Sequence, residues 1–150
     1  MDPEVTHTRE ALDLVALGDA QRAAEEHAAA IEYYERALRA EILLPIETRV
    51  ALRLSLADSY HDLSKYAKAR QVLHPLEDDL DSLSALEQAR VLHRIGWCAF
   101  FEGQIETSEA LSRRAASILI PTAHHDDLAI CLRRLAYALR WQGRVAEALD

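Results

Sequence analysis

Four segments of this 150-residue chain repeat one pattern, and that repetition constrains the fold more than any other feature. They are residues 14–38, 53–77, 92–116 and 132–150, in a register that steps by 39, 39 and 40 residues. Each opens with apolar or small residues three and four apart: Leu14, Leu17 and Gly18; Leu56, Ala57 and Tyr60; Leu92, Ile95, Gly96 and Ala99; Leu132, Leu135, Ala136 and Leu139. That spacing is the stripe of an amphipathic helix. A short polar break follows, with Gly103 in the third segment and Gly143 in the fourth. A second helix then begins, with a small residue where two helices would cross: Ala30, Ala69, Ser108 and Ala148. Alanine (26) and leucine (23) make up about a third of the chain, against four glycines and four prolines. Such a mixture favours helix and leaves too few turn residues for an all-β fold.

The glycines have two physical readings. Gly18 and Gly96 fall inside helices, where glycine costs roughly 1 kcal/mol against alanine. That cost is tolerated when two backbones must come close, so both positions predict tight helix pairing. Gly103 and Gly143 fall in turns, where a positive φ is cheap only for glycine. Ser84-Ala-Leu-Glu87 reads as a capping box opening the third segment's first helix. Pro45 and Pro121 suit a first helical turn, and Pro75 is expected to kink its helix or end it early.

The pattern resembles the tetratricopeptide repeat. The residues that carry the resemblance are Leu17, Gly18, Ala30, Tyr34 and Ala37 in the first segment and Leu56, Ala57, Tyr60, Tyr66 and Ala69 in the second. In the third they are Ile95, Gly96, Gly103 and Ala115, and in the fourth Leu135, Ala136, Gly143 and Ala148. All four glycines of the chain fall on the family's two glycine positions. The resemblance implies an all-α fold: a right-handed superhelix, or α-solenoid, of antiparallel helix pairs. About three and a half repeats are expected in a single domain, at about residues 4–40, 46–80, 83–119 and 123–150. The period exceeds the family's usual one of about 34 residues. The extra residues fall around 40–49, 79–86 and 118–126, and lengthened repeats of this kind are similar to those of bacterial signalling and regulatory proteins. Gln21 stands where the family prefers tyrosine, so the first helix is expected to pack less well. The fourth repeat's second helix would begin near Arg144 and has only seven residues by Asp150. Solenoids end in polar-faced capping repeats, so the chain is expected to be a fragment of a longer protein.

No constellation for chemistry emerges. The sequence has no nucleophile motif, phosphate-cradling glycine loop or HExxH, so neither an enzyme nor a cofactor is expected. His124-His125-Asp126-Asp127 is read as a helix start with two acids on the positive end of the macrodipole, and no metal is expected there. Cys98 and Cys131 read as small core residues, and Glu77-Asp78-Asp79 with Asp81 as a solvated helix end. The net charge of −8 argues against a general nucleic-acid binder. No apolar run approaches the roughly 18 residues of a membrane span, and a cytoplasmic location is expected from the absence of export signals and the two cysteines.

In the tetratricopeptide family the first helices of successive repeats line a concave groove. The matching positions are Val15, Asp19, Arg22, Leu54, Asp58, His61 and Asp62 in the first two segments. In the third they are Arg90, His93, Arg94, Trp97, Phe100 and Phe101, and in the fourth Arg133, Arg134, Tyr137, Arg140 and Trp141. Both tryptophans and both phenylalanines belong to this set. Aromatic and arginine side chains supply binding hot spots. The expected function is therefore recognition of a protein or peptide by the sensing or interaction part of a larger regulator. Arg90, His93, Arg94, Trp97, Phe101, Arg133, Tyr137, Arg140 and Trp141 are the expected contacts, with Phe100 partly in the core. A sub-type that clamps chaperone C-terminal carboxylates is excluded, because Val15, Asp19 and Ser55 stand where its lysine and asparagines belong, although Arg90 and Arg94 match. The alternative is self-assembly through the apolar end of an unfinished solenoid. Single-stranded RNA is a third reading, suited by stacking residues and opposed by the net charge.

Overall fold

The computed structural model describes residues 2–144 and 147–148. Among them are seven α-helices and no strand: α1 (Pro3–Ala23), α2 (His27–Leu38), α3 (Ile46–Asp62), α4 (Tyr66–Asp78), α5 (Ala85–Phe101), α6 (Ile105–Leu119) and α7 (His125–Trp141). The starts of α3, α5 and α7, at residues 46, 85 and 125, are 39 and 40 residues apart. Short 3-10 turns at Glu41–Leu43 and Leu80–Ser82 occupy the first two stretches that lengthen the repeat. The second helix expected from Arg144 onward falls largely on Val145, Ala146, Leu149 and Asp150, which lie outside the described residues. No helix among the described residues is long and apolar enough to cross a membrane.

One turn geometry follows α1, α3, α5 and α7. Glu25, Ser64, Gly103 and Gly143 have φ of 59°, 58°, 81° and 75°. The next residue's N–H reaches back five positions in every case: Glu26 to the Gln21 carbonyl (2.9 Å), Lys65 to Tyr60 (2.8 Å), Gln104 to Ala99 (2.8 Å) and Arg144 to Leu139 (2.9 Å). This is the Schellman ending, which satisfies carbonyls that the helix leaves unpaired. The first two turns make it without glycine.

Contacts divide the chain into two compact units, residues 1–72 and 73–150, with the boundary inside α4. In the first unit α1 packs on α2 through Gly18. A Cβ there would lie 2.5 Å from the Tyr34 ring, so only glycine admits the ring. Tyr34 is fully buried and donates its hydroxyl to Asp19 at 2.6 Å, while Tyr60 on α3 donates to the Glu35 carboxylate on α2. Burial and the acceptor carboxylates raise both phenol pKa values, Tyr60 to about 12. Arg53 joins three pieces of backbone: its Nε and Nη2 reach the Glu41 carboxylate at 3.0 and 2.5 Å, and its Nη1 the Val72 carbonyl at 2.9 Å.

In the second unit α5 packs on α6 and α7. A Cβ on Gly96 would lie 3.2 Å from Leu111 Cβ and 3.4 Å from the Ser108 carbonyl, the close approach that the sequence predicts. Ala30, Ala69 and Ser108 are fully buried at the crossings. The capping box is present, with Ser84 Oγ accepting from the Glu87 N–H (3.2 Å) and the Glu87 carboxylate from the Ser84 N–H (3.3 Å). Cys98 and Cys131 are buried, and desolvation pushes the Cys131 thiol up to about 11.

Several expectations are corrected. α4 does not end at Pro75 but continues to Asp78. Proline deprives the Gln71 carbonyl of its helical donor, but Gln71 is exposed to water and Arg53 supplies a donor to the adjacent Val72 carbonyl. Pro45 is the residue just before α3, and Pro121 lies in the turn ahead of α7; neither opens a first helical turn. Leu17 and Leu132 are 45% and 46% exposed, so each lies off its core stripe. In α7 the buried residues are Cys131, Ala138 and Leu139. Leu54, expected on the groove, is in the core.

Candidate functional site

α5 and α7 carry the aromatic residues singled out by the sequence, and the fold gathers them into one cluster. Trp97 stacks on Phe100 (centroids 5.3 Å apart, planes at 15°) and meets Phe101 edge-on at 4.8 Å. Tyr137 reaches Trp97 at 5.7 Å and Trp141 reaches Phe100 at 5.9 Å, from the other helix. The spacing explains the gathering. Residues 97, 100 and 101 are three and four apart on α5, and 137 and 141 are four apart on α7, so each set shares a face. Aromatic pairs of this geometry contribute about 0.5–1.5 kcal/mol each beyond their buried area.

The cluster is wet on its outer side. Trp141 is 74% exposed, Phe101 47% and Tyr137 45%. Trp97 and Phe100 are half-buried beneath them, which places Phe100 partly in the core as expected. Trp97 also bears a cation, with the Arg134 guanidinium 5.1 Å from its ring centroid.

The basic residues divide into held and displayed. Arg90 grips Asp127 with two hydrogen bonds, Nε at 2.8 Å and Nη2 at 3.1 Å, which ties α5 to α7. This pairing lowers the Asp127 pKa and raises that of Arg90. Arg94 donates to the Arg90 carbonyl at 3.1 Å. Arg134 is anchored by His93, through the ring Nδ1 and through the backbone carbonyl at 3.1 Å. Arg133 and Arg140 are exposed and make no ion pair among the described residues.

His93 is where the structure departs from the expected contact set. It is only 2% exposed, so it cannot touch a partner directly. Its sequence position is one residue off the core stripe of Leu92, Ile95 and Gly96, and packing turns it inward. Burial first, then the arginines 134, 94 and 90, push its pKa down to about 2. The imidazole is therefore neutral, its Nδ1 serves as an acceptor facing Arg134, and the proton resides on Nε2. His93 positions Arg134 over Trp97. Asp127, read from the sequence as a helix-start acid, has the further role of holding Arg90. That partner lies 37 residues away, beyond what local spacing reveals.

The matching positions of the first unit are engaged internally. Asp19 accepts from Tyr34, and Arg22 pairs with Asp58 at 3.1 Å. His61 meets the Tyr66 ring at 5.1 Å, and Asp62 lies 3.5 Å from His27.

The tetratricopeptide repeat family model matches residues 14–41. No curated protein sequence matches the chain. Among solved structures, the apo form of RapI superposes with a TM-score of 0.82 at 19% identity, over 95% of this chain and 40% of that one. A Podosopora anserina putative kinesin light chain with nearly identical TPR-like repeats gives a TM-score of 0.76 at 19% identity, over 95% of this chain and 71% of that one. MamA gives 0.63 at 19% identity, over 88% and 68%. This chain thus spans less than half the length of RapI. The family model thus identifies a tetratricopeptide repeat in the first helix pair, and the likeness to these solved structures shows that the chain shares their α-solenoid fold.

Proposed function

We propose that this chain is a protein-interaction module, the recognition part of a larger bacterial regulatory protein, and that it binds a protein or peptide partner through the α5–α7 face. The observation that carries the reading is the aromatic cluster itself. Five rings are gathered, three of them between 45% and 74% exposed, beside two arginines that pair with no carboxylate among the described residues. Exposed aromatic surface of this kind costs solubility and is kept where a partner covers it. Rigid rings with arginine at the margin are the composition of binding hot spots. The family match and the RapI likeness support a recognition scaffold, and the 40% coverage of RapI supports a place in a longer chain. Arg90, His93 and Arg94 act in this reading as supports for the surface, and Trp97, Phe101, Arg133, Tyr137, Arg140 and Trp141 as its contacts.

Affinity capture from a lysate of the source organism tests it. The bait is the chain beside an Arg133→Ala/Arg140→Ala/Trp141→Ala variant whose circular dichroism matches the parent. These three side chains are exposed, so their removal leaves the core intact. A partner retained by the parent and lost by the variant is expected. Equal retention by both would reject the α5–α7 face as the binding site. Self-association of the parent in place of capture would favour an assembly module.

A further inference from the structure

Along α7 the residues 126, 129, 133, 137 and 140 are all exposed, and their spacing of three and four makes them one straight seam opposite the buried Cys131, Ala138 and Leu139. The charges on this seam are not scattered. Asp126, Arg133 and Arg140 recur at seven-residue steps, and none makes an ion pair among the described residues. Between them stand Ala129, which is small, and Tyr137, which is large and 45% exposed.

We infer that the α7 seam receives an acidic amphipathic helix, laid antiparallel along it, with carboxylates at two positions seven apart and a basic residue seven further on. The inference rests on the reading of the α5–α7 face as the binding surface and names the partner's form. The argument is one of charge complementarity and repeat length. Seven residues of α-helix rise about 10.5 Å, and two helices packed side by side keep register over a repeat of about seven residues. A helix therefore meets both arginines from one face. An extended peptide rises about 3.3 Å per residue and alternates faces. Over the same distance it advances about three residues, which sends its two carboxylates to opposite sides. Orientation follows from the order of charges. Antiparallel packing sets acids in the partner's first turns and the base near its C-terminus, in accord with its macrodipole. The parallel arrangement reverses both. A leucine or methionine between the two carboxylates would cover Tyr137, and Trp141 closes one end.

A second copy of the chain fits less well. In an antiparallel α7–α7 pair, Asp126 faces Arg140 of the other molecule, but Arg133 then faces Arg133 at the dyad. The middle of the seam would be repulsive.

The test uses synthetic peptides with the intact chain, read by isothermal titration and tryptophan fluorescence. The probe is a helical peptide with Glu, Glu and Lys seven apart on a Leu/Ala seam. One control has the same composition with a central proline, and another has its glutamates five apart. The expected result is micromolar binding of the probe, at least tenfold weaker binding of both controls, and a tenfold or greater loss with Arg133→Ala/Arg140→Ala. An Arg133→Glu/Arg140→Glu variant should instead prefer the peptide with Lys, Lys and Glu at those places. Binding of the proline control as tightly as the probe, or no binding of the probe, overturns the helix inference. If the lysate partner is nevertheless lost on mutation of the face, the recognition reading survives without it. Sedimentation of the parent alone shows whether self-association, abolished by the same double charge reversal, occupies the seam instead; that result also overturns the inference.

Discussion

The first helix of each unit plays the same structural role with different means. α1 spans 21 residues and buries only Ala11 and Gly18. α5 spans 17 and buries eight, from Ala89 to Ala99. Around α1 the deficit is met by polar links: Tyr34 to Asp19, Arg22 to Asp58, and, one helix further on, Tyr60 to Glu35. Around α5 the packing is mainly apolar and aromatic, and its polar links are the Arg90–Asp127 clamp and the contacts of His93 with Arg134. The shared requirements are therefore few: a small residue at the crossing, a left-handed residue in the turn, and enough contact of either kind to hold the pair. Gln21, in place of the family's tyrosine, fits the thinner packing of α1.

The sharpest way to break this comparison is to add one methyl group to each helix. Gly18→Ala sets a Cβ 2.5 Å from a fully buried tyrosine ring. Overpacking of this kind costs roughly 1–3 kcal/mol, and we expect a loss near the upper end, about 2–3 kcal/mol, in urea unfolding. Gly96→Ala meets its nearest neighbour at 3.2 Å, and the gain of about 1 kcal/mol in helix propensity should bring it to within about 1 kcal/mol of the parent. Equal losses at the two sites would show that the tyrosine ring yields.

Acid should separate the units next. The folded-state pKa of His93 is depressed from 6.5 to about 2, so below pH 6.5 the unfolded chain takes up a proton that the folded chain refuses. Stability is then lost as pH falls, by about 1.4 kcal/mol per pH unit from this one group, or roughly 2 kcal/mol between pH 6.5 and pH 5. His93→Gln removes that slope at the cost of some stability at neutral pH. Parallel pH profiles for parent and variant would show that His93 is not the source.

The smallest effect concerns the turns. Glu25 and Ser64 adopt positive φ without being glycine, a strain of about 1–2 kcal/mol for an L-residue. Glu25→Gly should raise stability by about 0.5–1 kcal/mol after the entropy of the unfolded chain is counted, whereas Gly103→Ala should lower it by about 1 kcal/mol. Thermal melts of both variants check the opposite signs.

Much of this was legible before the structure, and the reason is physical. The 39- and 40-residue register, the capping box at Ser84, the crossing residues and the tight fit at Gly18 and Gly96 all follow from local periodicity and sterics. The aromatic face was legible because residues three and four apart on a helix must adjoin. What stayed hidden depends on partners that periodicity does not reach. The inward turn of His93 is decided by packing one residue off the stripe. The Arg90–Asp127 clamp and the Arg134 anchor join residues 37 and 41 positions apart. α4 runs on past Pro75 with the freed Gln71 carbonyl open to water, and the Arg53 contact with the adjacent Val72 carbonyl spans 19 residues, beyond local spacing. The exposure of Leu132 reflects a rotation of the α7 stripe toward Cys131, small enough to escape a count of apolar positions.

The repeated left-handed residue has a consequence for how such a chain can be edited. Because the four turns have the same backbone course, each is an equivalent point of exit from the helix before it. A deletion that leaves Ser64 and resumes at Gln104 removes one whole period and rejoins two chain directions that already match. Recombination at these points changes the number of periods without requiring a new loop.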